Sequence, residues 1–169
     1  MHGRCIIVFL FLSLAATAAA QSNNYGDPET KLALNGYDTV AYFREGKAKL
    51  GKAKYAAEWN GVTWRFSSEA NRKRFEADPE KYQPEFGGLC SWSMSEGRLE
   101  VANPECFTIE MGRLYLHFNR RVQKQFEEEL KKRVNVAHTN WEILDPDVES
   151  IHNRMRNRME AQAETAGDR

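Results

Sequence analysis

The stretch YAAEWNGVTWRF, residues 55–66, decides the fold. Asn60-Gly61 forms a two-residue turn, because both residues tolerate the positive φ that such a hairpin requires. That turn sets Trp59 opposite Val62, Ala57 opposite Trp64 and Tyr55 opposite Phe66. With side chains alternating along a strand, all six apolar residues fall on one face. The pattern predicts a hairpin laid on a core, with the aromatics as packing rather than as a ligand platform. A second hairpin follows over Cys106–Phe118, turning at Met111-Gly112. Its expected pairs are Ile109 with Leu114 and Phe107 with Leu116 on one face, and Thr108 with Tyr115 and Cys106 with His117 on the other.

Each hairpin is followed by a helical pattern. Ser67 or Ser68 caps a helix ending near Ala77, where Asp78-Pro79 stops it. Lys81–Phe86 reads as irregular. Arg120–Val134 carries an apolar stripe of Val122, Phe126, Leu130 and Val134, with Glu-to-Lys/Arg pairs four residues apart. Before the first hairpin, Asp38 caps a short helix that turns Val40, Ala41 and Phe43 inward. Trp141 is expected to dock back onto the domain. Hairpins and short helices in this order predict an α+β fold: a small antiparallel sheet of hairpins packed with short helices and a C-terminal helical extension.

The chain has 169 residues, with 24 Lys+Arg against 24 Asp+Glu. That balance excludes nucleic-acid binding driven by net charge. Met1–Ala20 reads as a signal peptide: His2 and Arg4, then the short apolar run CIIVFLFLSLAA, then Ala18-Ala19-Ala20. Cleavage before Gln21 leaves no stable membrane span and places the protein in a secreted or periplasmic compartment. Residues 21–31 form a polar linker, 32–144 the domain, and 145–169 a charged helical or disordered tail. Arg44–Lys54 holds five basic residues and one acid, which suits a solvated loop or a patch for an anionic partner.

Chemistry has few candidates. The sequence contains no phosphate loop, dinucleotide glycine fingerprint, HExxH or CxxC. Cys90 follows Gly87-Gly88 and opens a short helix through Ser95. In that position it serves as a reactive thiol, a buried inert cysteine, or half of a disulfide to Cys106. Cys90, Cys106, Met94, Met111 and His117 are soft donors suited to copper, while structural zinc needs four ligands. His138 and His152 sit in polar helical contexts.

GYDTVAYF (36–43), WNGVTWRFSSEANRKRFEADPEKYQPEFGG (59–88), LCSWSMSEG (89–97), GRLYLHFN (112–119) and NWEIL (140–144) resemble the secreted and periplasmic YHS-domain family. The resemblance spans about three quarters of the mature chain and implies a small α+β domain related to TRASH-type metal modules. Family members carry two cysteines around the first capped helix, where this sequence has Ser67 and Asn71, so that soft-metal site is not implied here. Three functions follow as expectations. The first is a non-enzymatic binding module, with Cys90, Cys106, His117 and Met94 as ligands for a copper or zinc ion. The second is a metal-free protein-interaction domain with a Cys90–Cys106 disulfide. The third is a thiol-dependent redox protein or enzyme using Cys90.

Overall fold

The structure is a computed structural model that describes residues 30–144. The expected signal peptide, most of the linker and the tail from 145 lie outside the described residues. Within them the fold is α+β, with two separate two-stranded antiparallel sheets. The first sheet pairs β1 (Lys52–Trp59) with β2 (Val62–Phe66), and the second pairs β3 (Asn103–Glu110) with β4 (Arg113–His117). The helices are α1 (Thr39–Glu45), α2 (Glu69–Ala77), α3 (Pro79–Tyr82), α4 (Ser91–Ser95), α5 (Arg120–Glu128) and α6 (Leu130–Leu144).

Both turns take the expected form. Asn60 and Gly61 have φ of 48° and 74°, and Met111 and Gly112 have 49° and 74°. Trp59 pairs with Val62 and Ala57 with Trp64, as the alternation requires. Tyr55 does not pair with Phe66. The register slips between Lys52 and Ala56, so Phe66 faces Lys52. The second hairpin behaves alike: Ile109–Leu114, Thr108–Tyr115 and Phe107–Leu116 form, but His117 faces Asn103 rather than Cys106. A bulge adds residues to one strand without leaving a periodicity signal.

Other boundaries also shift. Ser68, not Ser67, caps α2 by accepting from the Asn71 amide. Asp78 then caps α3, so part of the segment expected to be irregular is helical. The helix predicted over Arg120–Val134 is two helices, broken at Glu129 with φ −121°. In α1, Tyr42 is buried more deeply than Phe43, and its hydroxyl donates to the Pro104 carbonyl at 2.8 Å. The basic stretch is not all loop, since Lys52–Lys54 opens β1.

The second half of the domain repeats the first. Strands, bulge, turn and following helix of the second unit each lie 51 residues beyond their counterparts in the first. Ser68 caps α2 and Asn119 caps α5 through the same side chain-to-amide bond. Phe75 and Phe126 occupy matching, fully buried positions. Truncating either ring would cost about 3–5 kcal/mol. Upstream the spacing is 52. Leu34-Asn35-Gly36 and Phe86-Gly87-Gly88 are matching left-handed runs, with φ of 48°, 52°, 83° and 54°, 61°, 90°. Gly88 is required there, because an added Cβ would sit 2.7 Å from Leu34 Cδ2. Asp38 and Cys90 then precede the matching helices α1 and α4. Their amides donate to the Lys49 and Glu100 carbonyls, both at 2.8 Å.

Two apolar clusters hold these units together. One gathers Val40, Tyr42, Trp64, Phe66, Phe75, Cys90, Leu114 and Leu116. The other gathers Phe86, Leu89, Met94, Tyr115, Phe126 and Ala137 beneath α6.

Candidate functional site

The equivalence of Asp38 and Cys90 organises the chemistry. Asp38 is fully buried. Its Oδ1 accepts from the Val40 and Ala41 amides at 3.0 and 3.2 Å. Its Oδ2 accepts from the Ser67 amide and hydroxyl, both at 2.7 Å, and from Asn71 Nδ2 at 2.8 Å. Five donors saturate the carboxylate, which is what a buried charge needs. Ser67 and Asn71 are therefore structural partners of Asp38.

Cys90 sits at the matching place with most of those donors gone. Phe118 stands where Ser67 does and Val122 where Asn71 does. The Phe118 amide donates to Cys90 Sγ at 3.2 Å, as the Ser67 amide does to Asp38. Cys90 is fully buried, so as a nucleophile it has no contact with solvent in this conformation. Cys106 is also buried, and both are free thiols rather than a disulfide. Burial raises the Cys106 pKa, against the nearby Arg120 charge, while Glu105 and Cys90 add to the rise.

His117 and Met94 are fully buried as well. Met94 lies in the cluster beneath α6, whereas Cys90 belongs to the other cluster. Thr108 Oγ1 gives its proton to Glu127 Oε1 at 2.7 Å. His117 Nε2, 3.0 Å from that hydroxyl, must then be the donor to it. His117 Nδ1 is left with a bare lone pair and no partner among the described residues. Burial lowers the His117 pKa to about 4, only partly opposed by Glu127, so the ring is neutral near pH 7. Met111, at the tip of the second turn, is 92% exposed and stands apart from these buried groups. Among the described residues, no group of three or more His, Cys, Asp or Glu side chains is arranged to hold a metal ion.

A second location involves none of the cysteine, methionine and His117 candidates. A cavity of about 570 Å³ opens between the two hairpin turns, with Trp59 on one turn, Arg113 on the other and Trp141 of α6 beside them. Arg113 Nη1 pairs with Glu85 Oε1 at 2.7 Å, and Glu85 is only 16% exposed. The ion pair raises the Arg113 pKa. His138 Nε2 lies 3.7 Å from Glu85 Oε2 and 3.4 Å from the Tyr115 hydroxyl. Its ring packs edge-on against Phe86, 5.0 Å between centroids, and Trp141 packs on Phe86 at 5.8 Å. His138 is therefore part of an aromatic and ionic cluster, not a bland polar helical residue. Burial raises the Tyr115 pKa to about 12. One sequence signal could have pointed here. The EFGG run carries a charge into a segment whose first-half counterpart is apolar: Glu85 matches Ala33, and Arg113 matches Val62, both buried.

No family model, curated protein or solved structure matches this chain. Among the described residues, no helix is long and apolar enough to cross a membrane.

Proposed function

We propose that the chain is an exported, non-enzymatic binding module of the YHS-like type, with its ligand seat in the groove between the two hairpin turns. One observation carries this reading. Where the first unit buries Ala33 and Val62, the second places the Glu85–Arg113 ion pair at the wall of a ligand-sized cavity. The cavity's volume falls in the range of small-molecule sites, and polar groups converge on it. Export rests on the signal-peptide pattern of Met1–Ala20, and N-terminal sequencing of the secreted protein should begin at Gln21.

The test is a soluble fragment library titrated into ¹⁵N-labelled full-length protein. Saturable shifts centred on the Trp59 and Trp141 indoles, Gly87 and Gly112 support the groove. Shifts centred elsewhere, or none with any fragment, overturn it.

A second reading keeps the soft-metal function. Cys90 and Cys106 are both buried free thiols, and two thiolates suffice for Cu(I). Titration of the reduced protein with Cu(I), followed by native mass spectrometry, should then show one ion retained and lost in Cys90→Ser. An ion still retained in that variant, or none in the parent, removes this reading.

A further inference from the structure

We infer that the exposed basic strip joining α1 to β1 docks the domain on a membrane surface of anionic phospholipid. The strip is residues 44–54 (REGKAKLGKAK), with five basic residues against one acid, Glu45. Arg44, Lys47, Lys49, Lys52 and Lys54 are all exposed. Lys49 Nζ lies 3.2 Å from Glu45 Oε2, an exposed pair of little energetic weight. No carboxylate among the described residues forms an ion pair with the other four. Lys54 Nζ lies 4.7 Å from the Tyr55 ring centre. None of these residues lines the cavity between the turns.

Backbone contacts hold the strip in place. The Lys49 carbonyl accepts from the Asp38 amide, and the Gly51 amide donates to the Gly36 carbonyl, both at 2.8 Å. Leu50 bridges to Tyr37, and Lys52 pairs with Phe66. A Cβ on Gly51 would meet the Arg65 carbonyl carbon at 2.4 Å, so the chain is pressed against β2 at this point. Lys52 and Lys54 stand about 7 Å apart along their strand. That is inside the roughly 8 Å Debye length of physiological salt, so their fields add. A chain of balanced total charge thus concentrates positive charge in one short strip.

The second unit shows that the frame does not require these lysines. Lys49, Lys52 and Lys54 are matched there by Glu100, Asn103 and Glu105. Leu50 is 61% exposed, whereas the matching Val101 is half-buried. Leu50 favours a bilayer over a soluble polyanion. An exposed leucine gains nothing from a sulfated polymer, but at a bilayer it enters the headgroup boundary while the flanking ammoniums meet the phosphates. From Lys47 to Lys54 every charge is a lysine. A lysine is a point charge on a flexible stem and lacks the guanidinium fork that grips one phosphate or sulfate. Such a set fits a diffuse sheet of negative charge.

The test is co-sedimentation of the secreted protein, beginning at Gln21, with vesicles of phosphatidylcholine alone or mixed with phosphatidylglycerol. Retention is expected on the mixed vesicles only and should fall as salt rises. Lys49→Glu/Lys52→Asn/Lys54→Glu gives the strip the second unit's residues at exposed positions, and its circular dichroism should match the parent's. It weakens retention about a hundredfold, at about fivefold for each lysine. The milder Lys52→Gln/Lys54→Gln weakens it about twentyfold, and Leu50→Ala about threefold. Equal retention on both vesicle types, no retention on either, or undiminished retention in both lysine variants overturns the inference. So does retention on heparin beads without retention on vesicles, which makes the partner a soluble polyanion.

Discussion

Where the first unit buries Phe66, the second buries His117, and where the first holds Asp38, the second holds Cys90. Ala57 is matched by Thr108, Val62 by Arg113 and Ala33 by Glu85. The backbone frame is shared down to the bulge, the left-handed run and the helix caps. Its contents diverge at these positions: the first unit holds the saturated Asp38 carboxylate and apolar side chains, and the second holds the thiol, the imidazole and the outward-facing ion pair. A frame used twice lets the two copies keep one backbone while their buried contents differ.

The largest expected effect tests the Asp38–Cys90 difference. Asp38→Ala leaves buried donors of Ser67, Asn71 and α1 unpaired, and should destabilise by roughly 4 kcal/mol or more. Cys90→Ala removes one small apolar group and a single N–H···S contact, and should lose about 1–2 kcal/mol. Urea unfolding of both variants measures the gap; equal losses would break the comparison.

Next is acid. His117 has a folded pKa of about 4 against an ordinary 6.5. The unfolded chain therefore binds the extra proton between those values. The contribution is fully present above about pH 6.5 and is lost as pH falls toward 4, up to about 3 kcal/mol. His117→Phe, which gives the second unit the residue of the first, should flatten that part of the stability-versus-pH curve. Because carboxylates elsewhere titrate in the same window, the difference between parent and variant is the quantity to compare.

The third variant concerns the ion pair. Arg113→Val with Glu85→Ala recreates the first unit's apolar pairing in the second. It should change stability by less than about 1.5 kcal/mol, since a pair replaced by apolar residues loses both desolvation and attraction. Arg113→Val alone should be the more damaging, because it strands Glu85. Thermal melts of the single and double variants decide between additive and coupled behaviour.

The smallest effect is a gain. Met111 adopts φ 49° at the position where the first turn has Asn60. Met111→Asn relieves a residue that dislikes that region and should raise stability by about 0.5–1 kcal/mol in calorimetry.

The hairpins, their turns, the Asp38 cap and the shielding of Trp64 and Leu116 could all be read from alternation and turn chemistry, because those signals are local. The pairs Tyr55–Phe66 and Cys106–His117 were misplaced, because a bulge depends on how the strand end meets the rest of the fold. The repeat is faint in the sequence because what recurs is backbone conformation and cap geometry, whereas matched side chains such as Asp38 and Cys90 share no chemistry. The groove was hidden for a related reason. Glu85, Arg113, His138 and Trp141 are far apart in sequence and meet only once α6 lies over Phe86. Of the sequence-derived ligand candidates, Cys90 and Met94 belong to different apolar clusters.

The bulges have a consequence beyond register. A sheet of two strands leaves backbone groups along its outer side, where a strand from another molecule could add. Among the described residues, β1 pairs only with β2 and β3 only with β4. Lys52 and Lys54 stand exposed where β1 leaves its ladder. On β3, Pro104 has no amide to offer, and Gln123 Nε2 occupies the Phe107 carbonyl at 2.7 Å. The irregularity that defeats a simple reading of the strands also spoils each outer side as a template, discouraging the stacking of copies into fibrils.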